Sequence, residues 1–165
     1  MAETILNDVL GTEALLSTIV LRLSGDHYNG APRFQLYVDD QPVGEAQTVS
    51  AIRSKNEWQE FVFTGAFGAD GPGKVAIRFL NDAWGGAADK DRNLYVDSIE
   101  VNGVRFDAGD PTHAVYERDS GQRLFGREKM SWHGTLTFET KGAAPVPPEP
   151  VLDTITVRVS GDHYK

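Results

Sequence analysis

Leu94-Tyr95-Val96-Asp97-Ser98-Ile99-Glu100-Val101 alternates along its length, and Asn102-Gly103 follows it with turn chemistry. An extended chain sends successive side chains to opposite faces, so this stretch predicts a half-buried strand. The same reading disposes of a tempting alternative just upstream. Asp89-Lys90-Asp91-Arg92-Asn93 opens like an EF-hand loop, and Glu100 falls where such a loop places its last ligand. Leu94, however, stands where the sharp turn of that loop demands glycine, and a strand cannot wrap an ion with consecutive ligands.

Outward from this strand the chain repeats the pattern. Thr18 to Leu23, Arg33 to Val38, Gly44 to Ser50, Glu57 to Thr64, Lys74 to Leu80, Asn93 to Val101, Ala114 to Glu117 and Gly134 to Glu139 are further candidates. Asp39-Asp40-Gln41-Pro42 and Gly71-Pro72-Gly73 are turns between them. Only Ile5 to Leu16 hints at a helix. Short strands with frequent turns predict an all-β fold, a β-sandwich or jelly roll of two antiparallel sheets.

Composition narrows the function classes. The chain has 165 residues, with 16 Lys and Arg against 24 Asp and Glu, and a net charge of -8. Without clustered basic residues, a nucleic-acid partner is not expected. No apolar run approaches the ~20 residues that span a bilayer, so no membrane partner is expected either. Cysteine is absent, which removes disulfides, thiolate metal sites and cysteine nucleophiles together. The first residues, Met1-Ala2-Glu3-Thr4, lack the basic and apolar regions of a signal peptide.

An internal echo sets the expected domain boundaries. Ser17-Thr18-Ile19-Val20-Leu21-Arg22-Leu23-Ser24-Gly25-Asp26-His27-Tyr28 returns as Asp153-Thr154-Ile155-Thr156-Val157-Arg158-Val159-Ser160-Gly161-Asp162-His163-Tyr164. The expected organisation is an extension over 1–16, a module over 17–141 and a proline-rich linker over 142–150. Residues 151–165 then read as the first strand of a second module of a tandem array. A lone strand exposes unpaired backbone groups, so strand exchange into a homo-oligomer, or edge pairing, is expected for it.

Chemistry is sought in Phe79 to Asn93. Three aspartates, Asp82, Asp89 and Asp91, share a loop with Trp84, Gly85 and Gly86. Aspartates so close repel one another unless a hard cation or an arginine neutralises them, and an exposed indole can stack on a sugar ring. The same residues also fit a solvated acidic turn, with Asp91 paired to Arg92 or capping the turn and Trp84 folded over the core. Gly68 to Lys74 matches half of a phosphate loop but runs into a strand, so it reads as a hairpin turn. His27, His113, His133 and His163 lack zinc-site spacing, and no G-x-S-x-G elbow is present. Trp58 reads as packing within a sheet.

Asn81-Asp82, a glycine-bearing loop, and Asp91-Arg92-Asn93-Leu94-Tyr95-Val96-Asp97 together resemble the signature of calcium-dependent carbohydrate-binding modules, families 60 and 36. The resemblance runs over roughly residues 17 to 140 and includes Ser24-Gly25-Asp26, Ala31-Pro32, Leu36-Tyr37-Val38-Asp39 and Trp58-Gln59-Glu60-Phe61. It implies a Ca2+ ion held by Asp82, the carbonyl of Lys90 and Asp91, with Asp89 replacing or joining Asp91. Trp84 and Asn81 would flank the sugar, with Asp26, His27 and Tyr28 approaching from the adjacent loop.

The implied role is non-catalytic recognition of a polysaccharide (xylan, galactan, glucan or a bacterial exopolysaccharide) through calcium that ligates vicinal hydroxyls. Its expected setting is a larger secreted or cell-surface protein. The alternative is a calcium-stabilised adhesion repeat that binds no glycan. A small hydrolase on the same acidic loop is the third reading.

Overall fold

The computed structural model describes residues 14–147. The expected second-module strand and its strand exchange lie outside the described residues, as do the larger part of the hinted helix and the end of the expected linker. Twelve strands follow in order: β1 (Ser17–Asp26), β2 (Arg33–Val38), β3 (Gln41–Thr48), β4 (Gln59–Gly65), β5 (Lys74–Phe79) and β6 (Ala83–Trp84). Then come β7 (Asp91–Val101), β8 (Val104–Asp107), β9 (Ala114–Arg118), β10 (Arg123–Phe125), β11 (Lys129–Met130) and β12 (Gly134–Glu139). One short turn of 3-10 helix, Arg53–Lys55, is the only helical element among them.

The strands form the expected sandwich. One sheet runs β11-β7-β1-β4, with β6 and β8 also pairing to β7, and the other runs β10-β9-β12-β5-β2-β3. Every named pair is antiparallel. Ile19, Leu21 and Leu23 of the first sheet and Phe34, Leu36, Ile77, Phe79, Leu136 and Phe138 of the second share one buried core. Burying side chains of this size is the main favourable term in the fold.

Two local readings shift. The turn expected over Asp39 to Pro42 is confined to Asp39 and Asp40, whose φ angles are 47° and 68°, and β3 starts at Gln41. Pro42 is accommodated because β3 is an edge strand, where a missing amide hydrogen leaves no ladder bond broken. The alternation of β7 also changes phase: Leu94 and Val96 are buried before Asp97-Ser98, Ile99 and Val101 after it. The register with β1 skips from Ser98 to Val96, so Asp97 is a bulge. Its carboxylate accepts bonds from Arg22 at 2.9 Å and Arg105 at 3.0 Å.

Asn102 ties the two ends of the domain. Its Oδ1 accepts from the Thr18 amide at 2.9 Å, while its Nδ2 donates to Ser17 Oγ at 3.1 Å and to the Ala143 carbonyl at 2.7 Å. Ala143, read as linker, is therefore packed onto the domain and buried. Asn102 also has a φ of 51°, which asparagine tolerates better than alanine. Asn102→Ala is expected to lower unfolding stability by about 2 kcal/mol, and Asn102→Gly by about 1 kcal/mol, because glycine loses the bonds but not the backbone fit. Urea unfolding of the two variants measures both. Equal losses would mean that the left-handed backbone contributes nothing.

Candidate functional site

The site forms where β6 turns back onto β7. Trp84 lies opposite Asp91 in the ladder, and the Gly85 amide donates to the Lys90 carbonyl at 2.6 Å. This narrow hairpin fixes Trp84 and Asp91 side by side at the mouth of the first sheet. Gly85 is needed there: an added Cβ would collide with the Tyr28 hydroxyl and come within 2.8 Å of Lys90 Cβ. Tyr28 thus packs against the loop, while His27 is exposed on the same turn.

Arg92, next along β7, is buried and points away from Asp91. Its guanidinium donates to the carbonyls of Asn29, of Gly30 at 3.1 Å and of Asn81 at 2.6 Å. The Asn81 side chain is equally engaged, accepting from the Arg33 amide at 2.7 Å and donating to the Ala31 carbonyl at 3.0 Å. Both residues therefore hold the loop after β1 against the end of β5. Asn81, expected beside the sugar, spends its amide on the backbone.

Asp82 and Asp91 line one cleft of about 300 Å3 together with Trp84, Ser131 and Trp132. Trp84 is 63% exposed and Trp132 46%, so neither indole is folded into the core. Asp82 Oδ1 is buried without a hydrogen-bond partner. Burial pushes the Asp82 carboxyl above the ordinary carboxylate range, and the Asp91 charge adds to this while His133, 4.0 Å away, and Arg92 oppose it. An orphaned, desolvated carboxylate facing a second carboxylate is a donor set suited to a hard cation.

The other expected ligands are less direct. Asp26 at the end of β1 accepts from Asn93 Nδ2 at 2.9 Å and from the Tyr95 hydroxyl at 3.0 Å. Asn93 Nδ2 also donates to Asp91 at 2.8 Å, so Asn93 bridges the two carboxylates. Burial, then the Asp26 charge, pushes the Tyr95 phenol well above its usual range, which keeps it a donor. Asp89 is exposed at the hairpin tip and is not in the cleft wall. The Lys90 carbonyl, expected as a ligand, already accepts one bond and retains one lone pair. Among the described residues, no three His, Cys, Asp or Glu side chains converge into a metal site, so backbone, water or ligand oxygens would have to complete a shell.

Trp132 and Ser131 escaped the sequence reading, and His133 was weighed there only as a zinc ligand. The Tyr116 hydroxyl fixes the backbone of Trp132, donating to its carbonyl at 2.5 Å and accepting from its amide at 3.1 Å. His133 stacks on Phe79, with ring centroids 6.3 Å apart. The available signal was a tryptophan between a serine and a histidine, a large apolar ring in a polar connection. Trp58, expected within a sheet, instead precedes β4 outside any strand, with the guanidinium groups of Arg22 and Arg53 at 4.7 and 5.1 Å from its ring centre.

Comparison with known proteins bears on this arrangement. The model of family CBM60, described as a Ca-dependent, xylan-binding carbohydrate-binding module, matches residues 18–115. Two solved structures share the fold. One is vCBM60 in complex with galactobiose, 21% identical, covering 74% of this chain and 97% of that one at a TM-score of 0.54. The other is a selenomethionine form of vCBM60, 23% identical, covering 74% of this chain and 90% of that one, also at 0.54. It is described as linking, by circular permutation, two families of calcium-dependent carbohydrate-binding modules. No curated protein matches the chain.

Proposed function

The chain belongs to the CBM60 family of carbohydrate-binding modules, and on that premise we propose that it is a non-catalytic module gripping polysaccharide at the Asp82–Asp91 cleft with a bound calcium ion. The observation that carries the reading is the pairing of the orphaned Asp82 Oδ1 with Asp91 between two exposed indoles. Calcium takes about six to eight oxygens, so an ion held by two carboxylates and the Lys90 carbonyl would supply open positions for adjacent sugar hydroxyls. Trp84 offers a flat apolar face for the sugar ring, and Trp132 offers the face that Arg118 does not cover. Asn93 orients Asp91 and Asp26, and Arg92 with Asn81 keeps the surrounding loops in place.

The return of the Ser17 to Tyr28 sequence at 153–164 supports tandem repetition of the module. Weak binding by each module would then be offset by a raised effective concentration at the polymer surface.

Affinity electrophoresis tests the reading. The chain is run through gels containing xylan, galactan or β-glucan, each with calcium and with EDTA. Retardation on at least one polymer is expected with calcium and is expected to vanish with EDTA. Retardation that survives EDTA would remove the metal from recognition. No retardation on any glycan, combined with a higher Tm in calcium, would favour the adhesion-repeat reading instead.

A further inference from the structure

A second cleft, of about 380 Å3, adjoins the first and shares Ser131 and Trp132 with it. Its wall carries Arg118, Arg127 and Lys129. Among the described residues none of these three is ion-paired, whereas Arg22, Lys74, Arg78, Arg105 and Arg123 all face carboxylates. Arg118 lies over the Trp132 ring at 3.4 Å from its centre, and its Nε is buried without an acceptor. Lys129 sits on β11, held beside Tyr95 by the β7 ladder. Arg118 Nη1 donates to Gln122 at 2.5 Å, a neutral partner, so in a protein of net charge -8 three cations without a carboxylate share one groove, a local reversal of sign.

We propose that this cationic cleft is a subsite for the carboxylate of an acidic sugar, so that the glycan bound is uronate-bearing. The inference rests on the carbohydrate-binding role of the neighbouring cleft and specifies its substrate class. The proposed function fixes the orientation. Vicinal hydroxyls take the calcium at Asp82 and Asp91, which cancels the charge of the two aspartates, so the cations beyond Trp132 are what a sugar carboxylate meets on the adjoining side. Arginine presents paired donors that match a carboxylate, and such charge-assisted bonds are about twice as strong as neutral ones.

Calorimetric titration in calcium would compare a neutral xylo-oligosaccharide, the same backbone bearing one glucuronic acid, and a sulfated galacto-oligosaccharide. The glucuronic acid compound is expected to bind about tenfold tighter than the neutral one. That preference should shrink at about 0.5 M salt, where the Debye length is only a few ångströms. Arg127→Gln/Lys129→Gln is expected to remove most of the preference, Arg118 keeping the remainder, and to leave affinity for the neutral sugar unchanged; an undiminished preference would overturn the subsite. Both positions are exposed, and an unchanged Tm confirms the fold; Lys129→Gln alone is expected to give a partial loss.

Equal wild-type affinity for the acidic and neutral compounds overturns the subsite while leaving the carbohydrate-binding role intact. Tighter binding of the sulfated compound overturns the carboxylate assignment. Failure to bind any of the three overturns the subsite, and retention of the chain on xylan, galactan or β-glucan gels then decides the binding reading separately.

Discussion

Asp82→Asn is expected to abolish calcium-dependent retention on glycan while raising the Tm of the ion-free protein by a few degrees. The two effects share one cause. Asp82 is held in a half-buried position with an unpartnered oxygen and a second carboxylate nearby, and its pKa is raised by burial first and by Asp91 after that. A folded pKa above the unfolded one means that the native state binds the proton more tightly. The corresponding stability is fully present below the ordinary carboxylate pKa and is lost as pH rises through the raised folded value. An amide removes the charge that causes this loss, a gain of about 1 kcal/mol near neutral pH, which for a domain of this size is about 4 °C.

Ion binding has the opposite pH dependence. A cation needs the carboxylate ionised, so calcium-dependent retention should weaken as pH falls through the raised Asp82 pKa, earlier than for an ordinary aspartate. Melting curves in EDTA and retention gels across pH 4 to 7 would test both sides. A lower ion-free Tm for Asp82→Asn would show that the carboxylate supports the fold. Undiminished retention would remove it from the site.

Arg92→Ala has the largest expected effect on stability, a loss of about 3 kcal/mol. The guanidinium is buried and bonds three backbone carbonyls from two loops, those of Asn29, Gly30 and Asn81. Alanine leaves these acceptors and a side-chain-sized space behind, and water can replace only part of the loss. Arg92→Lys should recover little, because an ammonium group cannot present the same planar fork. Glycan affinity should fall in parallel, since the loop carrying Tyr28 is no longer fixed to the start of the β6 hairpin. Urea unfolding reads the first effect and calorimetry the second. A stability change under 1 kcal/mol would mean that the loops are held by something else, such as Asn81.

The contrast between Arg92 and Trp132 shows what a sequence carries and what it does not. β2 and β12 match their expected bounds because each is a run of alternating residues closed by clear turn signals. β6 and β11, two residues each, have no room for a period and exist only because β7 pairs with them. Likewise Asp82, Trp84 and Asp91 were legible because one local hairpin brings them together. Trp132 and Ser131 reach the same cleft from distant sequence, positioned by β11 and by the Tyr116 hydroxyl. Arg92 was visible as a charge beside Asp91, but two of its three carbonyl partners, Asn29 and Gly30, come from a loop far away in sequence. No spacing rule reports such contacts.

The Asn102 amide has a mechanical consequence. β1 and β7 both run from this clamp to the Asp26–Asp91 end, and ten residues of strand span roughly 30 Å. Ser17 and Ala143 are thus joined through one side chain at one pole, with the cleft at the other. Tension applied between these two points would pull directly across the Asn102 bonds and then peel β1 away one rung at a time, instead of shearing its ladders all at once. The pole bearing Asp82 and Asp91 would carry load last, so the module should keep its grip until most of β1 has come away.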